Sequence, residues 1–127
     1  MMRPRAAVEA ALRFAERRRR EDDAARLSQQ APHLVALTVH FFDRSAGGTV
    51  PDAKHTRRIV VENAPALFLV PCGDRTCADG GHDLTWAIMR SLDAREVELE
   101  GEHPCRGSAG AGACTRTLSY KGVATYR

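Results

Sequence analysis

The sequence predicts an α+β fold in which an N-terminal helix precedes an antiparallel sheet, a second helix and a C-terminal β-hairpin. Three observations carry this expectation. Apolar residues recur at helical spacing near the start of the chain and again near residue 85, the period changes to two from Leu34 onward, and four cysteines fall as two pairs in the second half. A chain of 127 residues suffices for one core. Composition divides it into a basic N-terminal helix and linker, 1–33, and an α+β domain, 34–127.

From about Arg5 to Leu27, Ala, Leu, Glu and Arg dominate and neither Gly nor Pro intervenes, which predicts the first helix. Val8, Ala11, Leu12 and Ala15 share a face, but that face continues as Arg18, Arg19, Asp22 and Arg26, so only the first half is expected to bury a stripe. Arg17 with Glu21, Arg18 with Asp22 and Arg19 with Asp23 stand at i,i+4 spacing for ion pairs. Strict alternation then predicts a strand from Leu34, with Val35, Leu37, Val39 and Phe41 inward and Ala36, Thr38 and His40 outward. Turn residues, among them Gly47, Gly48 and Pro51, make Asp43 to His55 a loop.

Thr56–Glu62 and Ala66–Val70 are strand-like, separated by a bend at Asn63-Ala64-Pro65 because Pro cannot donate to a ladder. A second helix is expected near Asp83–Asp93, with Asp83 as its N-cap and Leu84, Ala87, Ile88, Ser91 and Leu92 on one face; Trp86 and Met89 lie off that stripe. Alternation over Arg95–Glu100 predicts a strand with Val97 and Leu99 inward and Glu96, Glu98 and Glu100 in water. The Gly/Ala/Ser segment 106–113 is expected to be a loop, and Cys114–Tyr126 a final strand with a break at Gly122.

Composition narrows the function classes. With 43% hydrophobic, 28% charged and 6% aromatic residues the chain is near the globular average, which argues against wholesale disorder and fibrous repeats. No apolar run approaches the ~18 residues of a membrane span, so no membrane association is expected. Residues 1–33 carry eight Arg against five acids, while residues 34–127 balance, so the whole net charge of +3 lies in the N-terminal quarter. The segment after Met1 alternates Ala with Arg and Glu and resembles neither a secretory signal nor an acid-poor transit peptide, which predicts a cytoplasmic protein. A reducing compartment favours metal ligation over disulfides for its cysteines.

Those cysteines read Cys72-x4-Cys77 and Cys105-x8-Cys114, and each pair follows a Pro and brackets a Gly-containing turn. Two short loops that each supply two thiolates are what a closed tetrahedral site asks for, so Cys72, Cys77, Cys105 and Cys114 are expected to bind one structural zinc that joins helix and hairpin. The same pairs admit two disulfides, or four unligated thiols, although polar Gly-rich loops are unusual surroundings for core cysteines. From about Leu67 onward the order strand, cysteine pair, helix, strand, cysteine pair resembles the thioredoxin-like 2Fe–2S ferredoxins, a likeness that implies a redox role. The second pair is more widely spaced than in that family, and nothing before residue 60 matches. His82 and His103 are further candidate ligands or supporting donors, each close to a cysteine pair, whereas His33, His40 and His55 have no partners at metal spacing.

No nucleophile elbow, HExxH helix, phosphate loop or zinc-deaminase pattern occurs, and four thiolates leave zinc no open position for water, so no enzymatic activity is expected. The expected function is a zinc-stabilised binding module that docks on nucleic acid or a nucleoprotein complex, with Arg13, Arg17, Arg18, Arg19 and Arg20 contacting phosphates. Acids next to these arginines and a shortage of aromatics keep a second class open, a protein–protein adaptor using the same helix.

Overall fold

A computed structural model describes residues 4–45, 51, 53–74, 77, 80–109 and 112–127. Helix α1 (Pro4–Asp23) and the single turn α2 (Leu27–Gln30) precede β1 (Leu34–Arg44) and β2 (Ala53–Ile59). Then follow β3 (Leu69–Val70), β4 (His82–Asp83), α3 (Thr85–Asp93), β5 (Glu98–Pro104), β6 (Ser108–Ala109), β7 (Gly112–Ala113) and β8 (Thr117–Tyr126). The main sheet has the order β2-β1-β8-β5, and its neighbouring strands are antiparallel. The α+β class and the antiparallel sheet therefore hold.

One face of the sheet is the core. Leu37, Val39 and Phe41 of β1 line up across the ladder with Ala124, Gly122 and Tyr120 of β8, and Gly122 in turn with Leu99 of β5. Leu84, Ile88 and Leu92, one stripe of and before α3, cover this face together with Leu27 and Ala31 from the α2 turn. Leu27 is fully buried and its N–H donates to the Ala64 carbonyl at 2.9 Å, which fixes the segment ahead of β1 against the Asn63-Ala64-Pro65 bend.

Several sequence expectations need correction. The α1 helix stops at Asp23, short of Leu27, because the chain turns inward there to place Leu27 in the core. A register shift between Leu34 and Ala36 puts Leu34 inside and leaves Val35 and Ala36 outside, so strict alternation begins only at Leu37. Strand β1 runs on to Arg44 and β2 begins at Ala53, which shortens the expected loop; Gly47 and Gly48 lie outside the described residues. The Ala66–Val70 strand reduces to Leu69–Val70, whose partner is the short β4.

Leu84, not Asp83, holds the N-cap position of α3, although the Asp83 carboxylate still accepts from the Thr85 N–H at 3.0 Å. Val97 is exposed, since Arg95 turns the chain with a φ of 55° and β5 starts only at Glu98. The 106–113 loop carries a small hairpin, β6 paired with β7. Gly122 does not break β8: it pairs with Val39 and Leu99, and a Cβ there would lie 3.2 Å from the Thr38 carbonyl oxygen, so the glycine lets the sheet close.

Among the described residues nothing buries the apolar stripe of α1: Val8 and Leu12 remain 57% and 64% exposed, Phe14 on the other side of the helix is 54% exposed, and the helix is moored near its C-terminal end by an Arg20–Asp83 ion pair of 3.2 Å. Of the expected i,i+4 pairs, Arg19–Asp23 forms, at 3.2 Å, and Arg19 also reaches back to Glu16 at 2.6 Å.

Candidate metal centre

Each cysteine pair sits at the end of a hairpin. Cys72 and Cys77 lie on the connection between β3 and β4, where the Cys77 N–H closes a turn onto the Asp74 carbonyl at 3.1 Å. Cys105 directly follows β5 and Cys114 directly follows β7; the two flank the β6–β7 hairpin. Backbone bonds from Cys105 N–H to the Arg116 carbonyl (2.9 Å) and from Cys114 N–H to the Gly107 carbonyl (2.8 Å) hold these ends in register. The longer β5–β8 ladder below thus sets where the second pair stands.

The hairpin ends meet so that all four Sγ atoms lie within 4.8 Å of one another. Two close approaches run between hairpins, Cys72 to Cys114 at 3.7 Å and Cys77 to Cys105 at 3.6 Å. None of the four cysteines is in a disulfide, and Cys77, Cys105 and Cys114 are buried in a cluster of their own, apart from the main core. Cys72 is the partly open member and lines a groove that α1 borders with Leu12, Arg13 and Phe14.

Crowding makes these thiols unequal. Burial pushes Cys72 up, and pushes Cys77 up to about 11, because an apolar setting disfavours the thiolate. Burial acts against ionisation at Cys105 as well, but backbone hydrogen bonds from Gly107 and Gly81 and the neighbouring Cys77 and Cys72 thiols outweigh it and bring that group down to about 7. The Asp74 N–H approaches Cys72 Sγ at 3.4 Å, another donor aimed at sulfur. A cluster with one group ready to ionise, donors on sulfur and two thiols, Cys72 and Cys77, whose protons burial holds is chemically suited to a soft divalent cation, whose charge would displace those protons.

Two features that carry the geometry were not read from the sequence. Buried Asp43, at the inward position of β1 beyond Phe41, accepts from the Gly73 N–H at 2.9 Å and from Arg116 Nε at 2.8 Å. One carboxylate thereby clamps both hairpins, one residue past Cys72 and two past Cys114. Its signal was available: an acid on the core-facing parity of a strand needs a partner. Gly80 is the second feature, since a Cβ there would lie 2.3 Å from Cys77 Sγ and 2.8 Å from Cys105 Sγ.

Asp43→Asn is expected to weaken the clamp despite its equal size, because both partners are donors and the amide must turn its own NH2 toward one of them. Breaking a buried charged pair costs about 3–5 kcal/mol, and loss of a supporting contact lowers metal affinity about 10–100-fold. Competition with a chromophoric chelator, alongside urea unfolding, measures both; unchanged metal affinity would show that the clamp does not govern the cluster.

The histidines arrange themselves separately. His82 Nδ1 and His103 Nδ1 share a hydrogen bond of 2.8 Å, so one ring donates and the other accepts, and neither belongs to the four-sulfur cluster. Burial and the adjacent His103 push His82 down to about 4, which keeps it neutral at pH 7, and its Nε2 is buried with no partner among the described residues. His40 bonds Thr56 Oγ1 at 2.8 Å and His55 stacks on Phe41 at 4.8 Å. The basic positions of α1 are dispersed: Arg17 lies over Phe14, Arg19 and Arg20 are held by acids, and Arg13 and Arg18 make no ion pair among the described residues.

No family model, no curated protein and no solved structure matches this chain.

Proposed function

We propose that this chain is a small, non-enzymatic cytoplasmic binding module in which Cys72, Cys77, Cys105 and Cys114 hold one structural zinc as thiolates and α1 is presented to a partner. The convergence of four sulfurs to within 4.8 Å carries the reading. Zinc–sulfur bonds of about 2.3 Å in a tetrahedron require sulfurs about 3.8 Å apart, close to the Cys72–Cys114 and Cys77–Cys105 separations of 3.7 and 3.6 Å. A 2Fe–2S cluster fits less well, because its two irons would hold the thiolate pairs apart and here every sulfur lies within 4.8 Å of the other three. Disulfides, at about 2.05 Å between sulfurs, would need both hairpin ends to move. Four thiolates complete the coordination of zinc, which supports a structural role over a catalytic one.

The partner reading follows from α1. Exposed Val8, Leu12 and Phe14, together with the neutralised Arg19 and Arg20, favour a protein surface, including a protein component of a nucleoprotein complex. Partners captured by crosslinking the wild type at 500 mM salt, and lost with Val8→Ser/Leu12→Ser at equal folding, are the expected result. Capture that is unaffected by that double substitution would refute docking through the apolar stripe.

Direct nucleic-acid binding is the second reading, supported by Arg13 and Arg18, which make no ion pair among the described residues, and by Arg17. It predicts salt-sensitive anisotropy with a 20-nucleotide RNA or a 20-base-pair DNA, and a slope of log affinity against log salt that falls by about 0.7–0.9 per phosphate contact when these arginines become Ala. Absence of salt-sensitive affinity for both probes at 50 mM salt rejects that reading.

A further inference from the structure

The uncovered face of the main sheet has an ordered charge pattern. The ladder places three rows across it, from β2 through β1 and β8 to β5. They read Arg58–Thr38–Val123–Glu98, Thr56–His40–Lys121–Glu100 and Lys54–Phe42–Ser119–Glu102. The β2 edge is thus basic at Lys54 and Arg58, and the β5 edge is acidic at Glu98, Glu100 and Glu102, all five of them exposed. Val123, on the inner strand β8 in the row at one end of the face, is 53% exposed, and Val60 and Val35 toward that end are 59% and 48% exposed. The middle row carries exposed His40 and Lys121 on its inner strands, so it is the opposed charge of the two edges that gives the face its complementarity.

We infer that this face binds the same face of a second copy of the chain, in a two-fold dimer whose axis runs parallel to the strands. Rotation about that axis sets β2 opposite β5 of the second copy and keeps each row level with its counterpart. Arg58 then faces Glu98 of the other copy, Lys54 faces Glu102, and Val123 faces Thr38, each contact occurring twice as an isologous interface requires. The two-fold perpendicular to the strands is excluded by charge, because it stacks β2 on β2 and β5 on β5. Within one chain, Arg44 already spans Ser119 to reach Glu102 at 2.8 Å, so the acidic edge is disposed to accept cations lying flat on this face. Four strands about 4.8 Å apart and about 30 Å long give roughly 600 Å² per copy, near the lower bound of stable interfaces and suited to a reversible dimer. The contact involves neither α1 nor the cysteine cluster, so it is independent of the function proposed above.

Sedimentation equilibrium of the full chain over a concentration series tests this. The expected result is a monomer–dimer equilibrium that weakens at least tenfold in Arg58→Glu and in Glu98→Arg, each of which creates two repulsive contacts by symmetry. Mixing the two single variants should restore a heterodimer, because each supplies the charge that the other lacks, and the double variant R58E/E98R should dimerise alone. Val123→Glu, on the inner strand β8 and off both edge strands, should abolish dimers, with circular dichroism confirming the fold. A wild type that stays monomeric at 0.5 mM, single variants that fail to complement each other, or an open ladder of oligomers that survives Val123→Glu would each overturn the inference, the last in favour of edge-to-edge strand pairing.

Discussion

Removing metal from the four-cysteine cluster is expected to release both hairpin ends at once. Cys72→Ser and Cys114→Ser are expected to do so to the same extent, although they lie on different hairpins 42 residues apart. A structural zinc site contributes on the order of 10 kcal/mol in small peptides, comparable with the whole stability of an ordinary domain, so no other single change should cost more. The cysteines form a cluster separate from the main core, and the sheet face under Ile88 and Leu99 does not depend on it for packing. Hydrogen exchange after chelation should therefore show protection lost first at 72–83 and 104–118, with the central β1–β8 ladder opening last. If Cys72→Ser perturbs only its own hairpin and leaves 104–118 protected, the cysteines act as two local pairs and not as one shared site.

Gly80→Ala is expected to be nearly as damaging, by a route that removes no ligand. The added methyl would lie 2.3 Å from one sulfur and 2.8 Å from another, against a backbone that is tied into the β3–β4 hairpin. Two of four ligands must then shift, and metal affinity should fall by more than the roughly 100-fold that loss of a supporting contact produces. Gly112→Ala is the matched control, since a Cβ there meets nothing within 4 Å and the residue belongs to the hairpin between Cys105 and Cys114. Titration of both variants with zinc against a competing chelator separates them. Equal affinities would mean that Gly80 does not shape the cluster.

Much of this architecture was legible in residue order because the relevant signals are local. The period of two from Leu37 to Phe41 gives the inward face of β1, and the stripe Leu84, Ile88, Leu92 gives the buried side of α3. Pro-Cys steps and Gly-containing turns marked the hairpin ends where the cysteines stand. What escaped depends on partners distant in sequence. The role of Asp43 exists only once Gly73 and Arg116 are beside it, Val35 looks inward by alternation until a bulge changes the parity, and Val97 lies just ahead of β5, where the alternation does not yet apply. The α1 stripe has the pattern of a buried face, but pattern alone does not supply a surface to cover it. Arg17 to Arg20 read as one basic run, whereas the fold commits Arg19 and Arg20 to Glu16, Asp23 and Asp83.

The most direct test of the central claim is native mass spectrometry of the chain purified without a histidine tag, with thiols counted before and after chelation under denaturing conditions. One zinc per chain is predicted, bound with displacement of the thiol protons, and all four cysteines should become alkylatable only once the metal is removed. Iron accompanied by visible absorbance, or a metal-free chain whose cysteines are oxidised to disulfides, would contradict it.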